Sequence, residues 1–179
     1  MTAPLVVTLL LDDAAQASFD RLRQAHFPPD RNHLAAHVTL FHALPGEHER
    51  LVVQDLREHA ARPPFEVEVT GPRLLGRGVA LALSAPALQA LRANLAQAWR
   101  PWLTPQDSRP HAPHVTVQNK VTPAAARALL EELAAGFEPW TARATGLGLW
   151  RYLGGPWAPV TRVPFEGLPP QAAPVTRSA

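Results

Sequence analysis

His114-Val115-Thr116-Val117 repeats, almost letter for letter, a stretch met much earlier in the chain, His37-Val38-Thr39-Leu40. Each copy lies in a run rich in valine, leucine and threonine, the composition of a strand, and a strand sends alternate side chains to opposite faces. His and Thr then share one face, about 6.7 Å apart along the strand, while Val38 and Leu40, or Val115 and Val117, point into a core. On a helix, residues two apart face nearly opposite directions, so only the strand reading presents an imidazole and a hydroxyl together. Composition alone predicts roughly 0.1 such His-apolar-Thr-apolar segments in a chain of this length. Two copies therefore point to two halves of one site.

Working outward from the motifs, the apolar run Pro4 to Leu11 predicts a buried strand. Asp12 and Asp13 open a helix to about residue 25, with Ala14, Ala17, Leu22 and Ala25 inward, and Pro28-Pro29 stop it. The first motif strand spans about 36 to 43. A helix follows Pro45-Gly46 and runs to about Ala61. Phe65, Val67 and Val69 alternate with polar residues as a strand, and Gly76-Arg77-Gly78 joins it to Val79, Leu81 and Leu83 as a hairpin. Ser84 and Pro86 start a helix bearing Leu88, Leu91, Leu95 and Trp99 on one face. Four prolines make 101 to 113 a loop, and the second motif strand spans 114 to 121. Thr122-Pro123 caps a helix ending near Gly136, and strands at 138 to 152 and 157 to 165 close the pattern.

The order β α β α β β α β α β β contains strand-helix-motif-strand-helix twice. It predicts an α+β fold: two duplicated α/β lobes with mainly antiparallel sheets, related by a pseudo-two-fold axis around a central cleft. Residues 1–167 are expected to form this single bilobal domain, with 168–179, rich in Pro and Ala, a disordered tail.

Of the 179 residues, 46% are hydrophobic and 18% charged, enough chain for one sizeable core. No apolar run approaches the roughly 20 residues of a membrane span. Met1-Thr2-Ala3-Pro4 lacks the basic flank and apolar region of a secretory signal, so a cytoplasmic location is expected. The pI of 9.9 stands beside a formal charge of only +2. With no Cys, one Tyr and a single Lys, little titrates between His and Arg, and a small surplus crosses zero late. Global charge therefore gives no argument for nucleic acid. The absence of cysteine excludes disulfides, thiolate catalysis and Cys-based zinc or iron-sulfur sites.

Two facing imidazoles suit an acid and a base acting on one phosphodiester, because a ring with a pKa of about 6.5 is available in both protonation states near neutrality. Thr39 and Thr116 would donate to the non-bridging oxygens. Neither motif carries a partner carboxylate and no HExxH segment occurs, so no metal and no cofactor is expected.

The paired HVTL and HVTV segments, 77 residues apart (114 − 37) in a duplicated order, resemble the two-histidine phosphoesterase superfamily over roughly residues 4 to 166. That superfamily includes 2′-5′ RNA ligase-like proteins and RNA 2′,3′-cyclic phosphodiesterases. The resemblance implies a central cleft, action on 2′,3′-cyclic phosphates or 2′-5′ linkages without metal, and catalytic roles for His37, Thr39, His114 and Thr116. The partner expected is an RNA end or nucleotide bearing a 2′,3′-cyclic phosphate, met by a monomer. Alternatives are 2′-5′ ligation or cleavage, and an idle RNA-end or nucleotide-binding module. Many ligase-like relatives follow the first motif with an aromatic and Leu-Gly. Here the run is Phe41-His42-Ala43-Leu44-Pro45-Gly46, and no arginine closely follows the second motif.

Strand parity extends the candidate site. Phe41 shares the parity of His37 and Thr39, which suits it equally to stacking on a nucleobase or to packing at the interface of the lobes. Gln118 and Lys120 share that of His114 and Thr116, and Lys120 is a candidate either for a phosphate contact or for a solvated strand end. Arg109 and His111 lie in the proline-rich loop, where they could close over substrate. Trp150, Arg151 and Tyr152 are candidates for a cleft wall, whereas His33 and His42 are read as structural or surface residues.

Overall fold

The computed structural model describes residues 2–167, so the expected tail at 168–179 lies outside the described residues. Its elements are β1 (Leu5–Leu11), α1 (Asp13–His26), β2 (Val38–Leu44), α2 (Glu49–His59), β3 (Phe65–Leu74), β4 (Val79–Ser84), α3 (Pro86–Ala98), β5 (His114–Gln118), α4 (Pro123–Ala135), β6 (Trp140–Tyr152) and β7 (Trp157–Pro164). Element for element this is the order read from the sequence.

Local chemistry sets the boundaries. The Asp12 carboxylate accepts from Ala15 N at 2.9 Å and starts α1, and the Thr122 hydroxyl accepts from Ala125 N at 3.2 Å to start α4. Gly76, at φ 53°, makes the turn of the β3–β4 hairpin, which Leu75 N closes onto Gly78 O at 2.9 Å. The buried face of α1 differs from expectation: Ala15, Phe19 and Arg23 are buried, whereas Ala14, Ala17 and Ala25 are exposed. Phe19 decides it, because one phenyl ring buries far more apolar area than several alanine methyls.

Every strand pair is antiparallel, in the order β2-β1-β6-β3-β4-β5, with β7 on β6 as well. The 13-residue β6 unites the two halves: its beginning pairs with β3, and the remainder pairs with β1 and β7. The repeat units β1-α1-β2-α2-β3 and β4-α3-β5-α4-β6 exchange their last strands, giving half-sheets β2-β1-β6 and β5-β4-β3. The two motif strands are thus the opposite ends of one sheet, and the sheet curls until β2 and β5 approach each other without pairing. One face buries Leu5, Val7, Leu9, Val38, Leu40, Val115, Val117, Leu147 and Leu149 with apolar residues of all four helices. The other face carries the cross-strand rows Thr39–Thr8–Gly148 and Thr116–Ala80–Arg73.

Two strand edges brought close but left unpaired hold carbonyls that need donors. Two buried arginines supply them. Arg23 of α1, 5% exposed, donates from Nη1 to Thr116 O at 2.9 Å and from Nε to Asn32 Oδ1 at 2.8 Å, with its guanidinium 4.0 Å above the Phe27 ring. Arg92 of α3, 7% exposed, donates from Nε to Leu40 O at 2.8 Å and from Nη2 to Asp107 O, and it stacks 3.8 Å over Phe41. Each thus reaches from a helix of one repeat to the motif region of the other. Burial lowers the proton affinity of both guanidiniums. They remain charged at neutral pH, and charge-assisted bonds to carbonyls offset the desolvation.

Replacing Arg92 by Leu leaves Leu40 O and Asp107 O without a donor. It should destabilise the fold by about 3 kcal/mol, read as a lower urea midpoint at unchanged m-value. A loss of under about 0.5 kcal/mol, the size of an ordinary surface substitution, would show that the interlock contributes nothing.

Candidate active site

His37 immediately precedes β2 and His114 opens β5, so both rings stand where the two edge strands approach. Their fixation is the same. His37 Nδ1 lies 2.8 Å from Ala35 O and His114 Nδ1 lies 2.8 Å from Ala112 O, in each case the carbonyl two residues upstream. A carbonyl only accepts, so each Nδ1 carries the ring proton and each Nε2 is left free to give or take one. Thr39 and Thr116 are half-buried on the same strands, and their inward neighbours Val38, Leu40, Val115 and Val117 are sealed in the core. The structure places the four residues that the sequence singled out on the two edge strands that approach each other.

Parity fails at Phe41. Along β1 the pairs are Thr8 with Thr39 and Val7 with Phe41, so one step of β1 is matched by two steps of β2, a bulge at Leu40. Leu40 and Phe41 both turn inward, and Phe41 is 0% exposed, edge-on to Trp99 at 4.9 Å. No nucleobase can stack there. His42 emerges on the outer side instead, exposed, with Nδ1 2.9 Å from the buried Asp107 carboxylate. His111, in the same loop as Asp107, donates from Nε2 to Thr39 O at 2.9 Å and so adds a further donor to β2.

The remaining candidates sort by distance from the rings. β5 ends at Gln118, which is buried, and Lys120 follows in a turn with φ 60°, so the parity that would aim Lys120 at a phosphate no longer operates. Arg109 is exposed in the loop, and its backbone N is bonded to Gln106 O. Arg73 of β3 carries no signal in the sequence. Register places it beside Ala80, which pairs with Thr116, and its Nη2 lies 3.1 Å from His114 Nδ1. Since that Nδ1 already donates to Ala112 O, Arg73 stands there as a neighbouring cation, with its buried Nε–H lacking a partner. An anion in the cleft would meet that guanidinium.

A cavity of about 520 Å³ adjoins His37, lined by Thr8, Leu34, Trp150, Trp157 and Arg162 among others. Trp157 lies 4.6 Å from the His37 ring and 6.2 Å from Trp150, whose Nε1 donates to Thr8 Oγ1 at 2.9 Å. A Cβ at Gly148 would fall 2.7 Å from Thr8 Oγ1, so glycine makes room for that bond. Trp150 is the wall residue that the sequence suggested. Arg151 pairs with Glu49 at 2.6 Å and Tyr152 is exposed, and neither lines this cavity. A larger groove of about 710 Å³ runs along α2 and holds no motif residue. Among the described residues no group of three or more His, Asp or Glu side chains is arranged to hold a metal ion.

Burial pushes the His37 pKa down to about 4, and the charges of Arg23, His114 and His42 add to it against the Ala35 carbonyl. Burial also lowers His114, with Arg73 and His42 contributing, and it lowers His111 in the same way. The protein alone therefore biases the motif rings toward the neutral state. A bound phosphodiester anion would oppose that bias and favour protonation of one of them.

Antiparallel half-sheets curled so that two His-x-Thr strands face each other define a two-histidine phosphoesterase. The chain belongs to the 2′-5′ RNA ligase superfamily, whose family model matches residues 11–156. No curated protein matches it in sequence. Among solved structures it is similar to a phosphoesterase at TM-score 0.63 and 20% identity, covering 92% of this chain and 99% of that one. Escherichia coli LigT complexed with 3′-AMP gives TM-score 0.61 at 20% identity, covering 92% and 99%. The protein TT0787 of Thermus thermophilus gives 0.60 at 17% identity, covering 92% and 98%. LigT has also been solved with NADP+ and with ATP.

The depressed His37 pKa makes a prediction about stability. The folded ring stays neutral down to about 4, whereas an unfolded ring binds its proton from 6.5 downward, so added protons favour the unfolded state. The stability of the wild type relative to His37→Gln, from urea midpoints, should be constant above pH 6.5 and should fall as pH drops from 6.5 toward 4. A difference that stays flat throughout that window would contradict a ring held neutral in the cleft.

Proposed function

We propose that the cleft is a metal-independent phosphodiesterase site that opens 2′,3′-cyclic phosphates on RNA ends or nucleotides, in a protein working as a monomer. The observation that carries this reading is the matched pair of imidazoles, each locked at Nδ1 by the carbonyl two residues upstream and each with Nε2 free. One Nε2 removes the proton of the attacking water as its oxygen bonds to phosphorus. The other, protonated, delivers its proton to the departing ribose oxygen as the P–O bond breaks. Thr39 and Thr116 donate to the non-bridging oxygens, and Arg73 places a cation beside the His114 side of the phosphate. With a 5′-hydroxyl in place of water the same two proton transfers would join RNA ends, as the family's name describes.

The tryptophans support a nucleotide substrate. Trp157 and Trp150 offer aromatic faces beside His37 in a cavity of about 520 Å³, the role that Phe41 is too deeply buried to fill. That LigT has been solved with 3′-AMP, NADP+ and ATP agrees with a nucleotide in such a place.

In EDTA, the protein should open a 2′,3′-cyclic nucleotide or an oligonucleotide ending in one. His37→Ala or His114→Ala, with unchanged circular dichroism, should lower kcat/KM by about 10²- to 10⁴-fold. Opening of neither substrate by the wild type would overturn the reading. Trp157→Ala should raise KM for the nucleotide by about 10-fold, the scale of a lost base stack, with a smaller effect on kcat. An unchanged KM would remove the base from that cavity.

A further inference from the structure

We propose that His42 is a third substrate-contacting imidazole, donating from Nε2 to a non-bridging oxygen of the bound phosphodiester, with Asp107 as its positioning residue. The inference rests on the cleft being a phosphodiester site and adds a group that the paired motif does not contain.

Backbone geometry puts His42 there. The bulge at Leu40 turns residues 40 and 41 inward together, so the outward position following Thr39 falls to residue 42. The loop from 103 to 113 then supplies a carboxylate behind it. Asp107, with a side chain 1% exposed, accepts from His42 N at 2.9 Å and Ala43 N at 3.1 Å, and it faces His42 Nδ1 at 2.9 Å. Its own backbone is fixed by Arg92 at the carbonyl and by Thr104 Oγ1 at the amide. Burial alone would raise the Asp107 pKa, but the hydrogen bonds from His42 and Ala43 hold it below the ordinary value, so the carboxylate stays ionised.

The imidazole is not packed away. The His42 side chain is 40% exposed although its carboxylate partner is sealed, and with Nδ1 turned to Asp107 the nitrogen left facing outward is Nε2. The ring lies close enough to the site for its charge to act on His37, His111 and His114 alike. A carboxylate behind and a phosphate in front would bracket a ring that donates to an anion at each nitrogen, a stronger arrangement than hydrogen bonds between neutral groups. A mere latch for the loop would not need the ring, because the backbone amides of residues 42 and 43 already hold the Asp107 carboxylate.

The test uses inorganic phosphate as probe, by calorimetry and by ¹⁵N NMR of the histidine rings, beside cyclic-nucleotide kinetics. His42→Ala, which keeps both backbone amides, should weaken phosphate binding by about 10-fold or more and raise KM more than it lowers kcat. His42→Gln, whose side-chain amide offers a donor in the same direction, should recover part of the loss. Asp107→Asn should weaken phosphate in the same sense, and His42 Nε2 should shift on phosphate titration of the wild type. Unchanged phosphate binding by His42→Ala, or a His42 ring that does not respond while His37 and His114 do, would overturn the proposal. Phosphate binding through His42 without turnover of any cyclic phosphate would defeat the activity reading and leave this one standing. A wild type that binds no phosphate would defeat both.

Discussion

Two strand edges must stand side by side without joining. If β2 and β5 formed a ladder, the curled sheet would close and the face bearing His37 and His114 would have no opening. If they drifted apart, the two rings would no longer meet one substrate. Arg23 and Arg92 hold the intermediate state, because each bonds a carbonyl in one repeat's motif strand from a helix of the other. The donors come from side chains and not from a neighbouring strand, so the backbones are tied at a fixed separation and a cleft remains. His111 adds a third such bond, to Thr39 O.

The same scaffold sets the electrostatics. Arg23, Arg73 and Arg92 place three guanidiniums around four imidazoles, and Asp107, the one buried carboxylate among the described residues, is occupied by His42 and two backbone amides. Burial first, and this positive surrounding after it, lower the proton affinity of His37 and His114 against the hydrogen bonds to Ala35 and Ala112. The same surrounding favours an incoming anion, and the anion in turn restores proton affinity to the rings. Binding and readiness for proton transfer are thereby coupled through charge alone.

The order of elements is legible in the sequence because periodicity and the Pro and Gly punctuation are local signals, as at Pro28-Pro29, Pro45-Gly46 and Gly76-Arg77-Gly78. The motif quartet was legible because it occurs twice. What was not legible depends on partners. The bulge at Leu40 exists only in register with β1, so parity alone cannot tell that Phe41 packs inward and that His42 takes the outward position. Arg73 reaches His114 through two ladders, β3 to β4 and β4 to β5, that no local pattern announces. Of the two roles open to Lys120, phosphate contact or a solvated strand end, the choice depends on where the strand stops, at Gln118, and on the left-handed residue two positions later. The face of α1 turned on one phenylalanine, Phe19, outweighing the smaller side chains around it.

The central claim is that two separate strands bring both Nε2 atoms to one phosphorus centre. A crystal structure with a nucleoside and orthovanadate, which mimics the five-coordinate phosphorus of the transfer, tests it most directly. The account predicts vanadate oxygens within about 3 Å of Nε2 of both His37 and His114, the two rings lying on opposite sides of the vanadium. Vanadate held by one ring alone, or rings whose Nε2 atoms face away from a shared oxyanion, would contradict it.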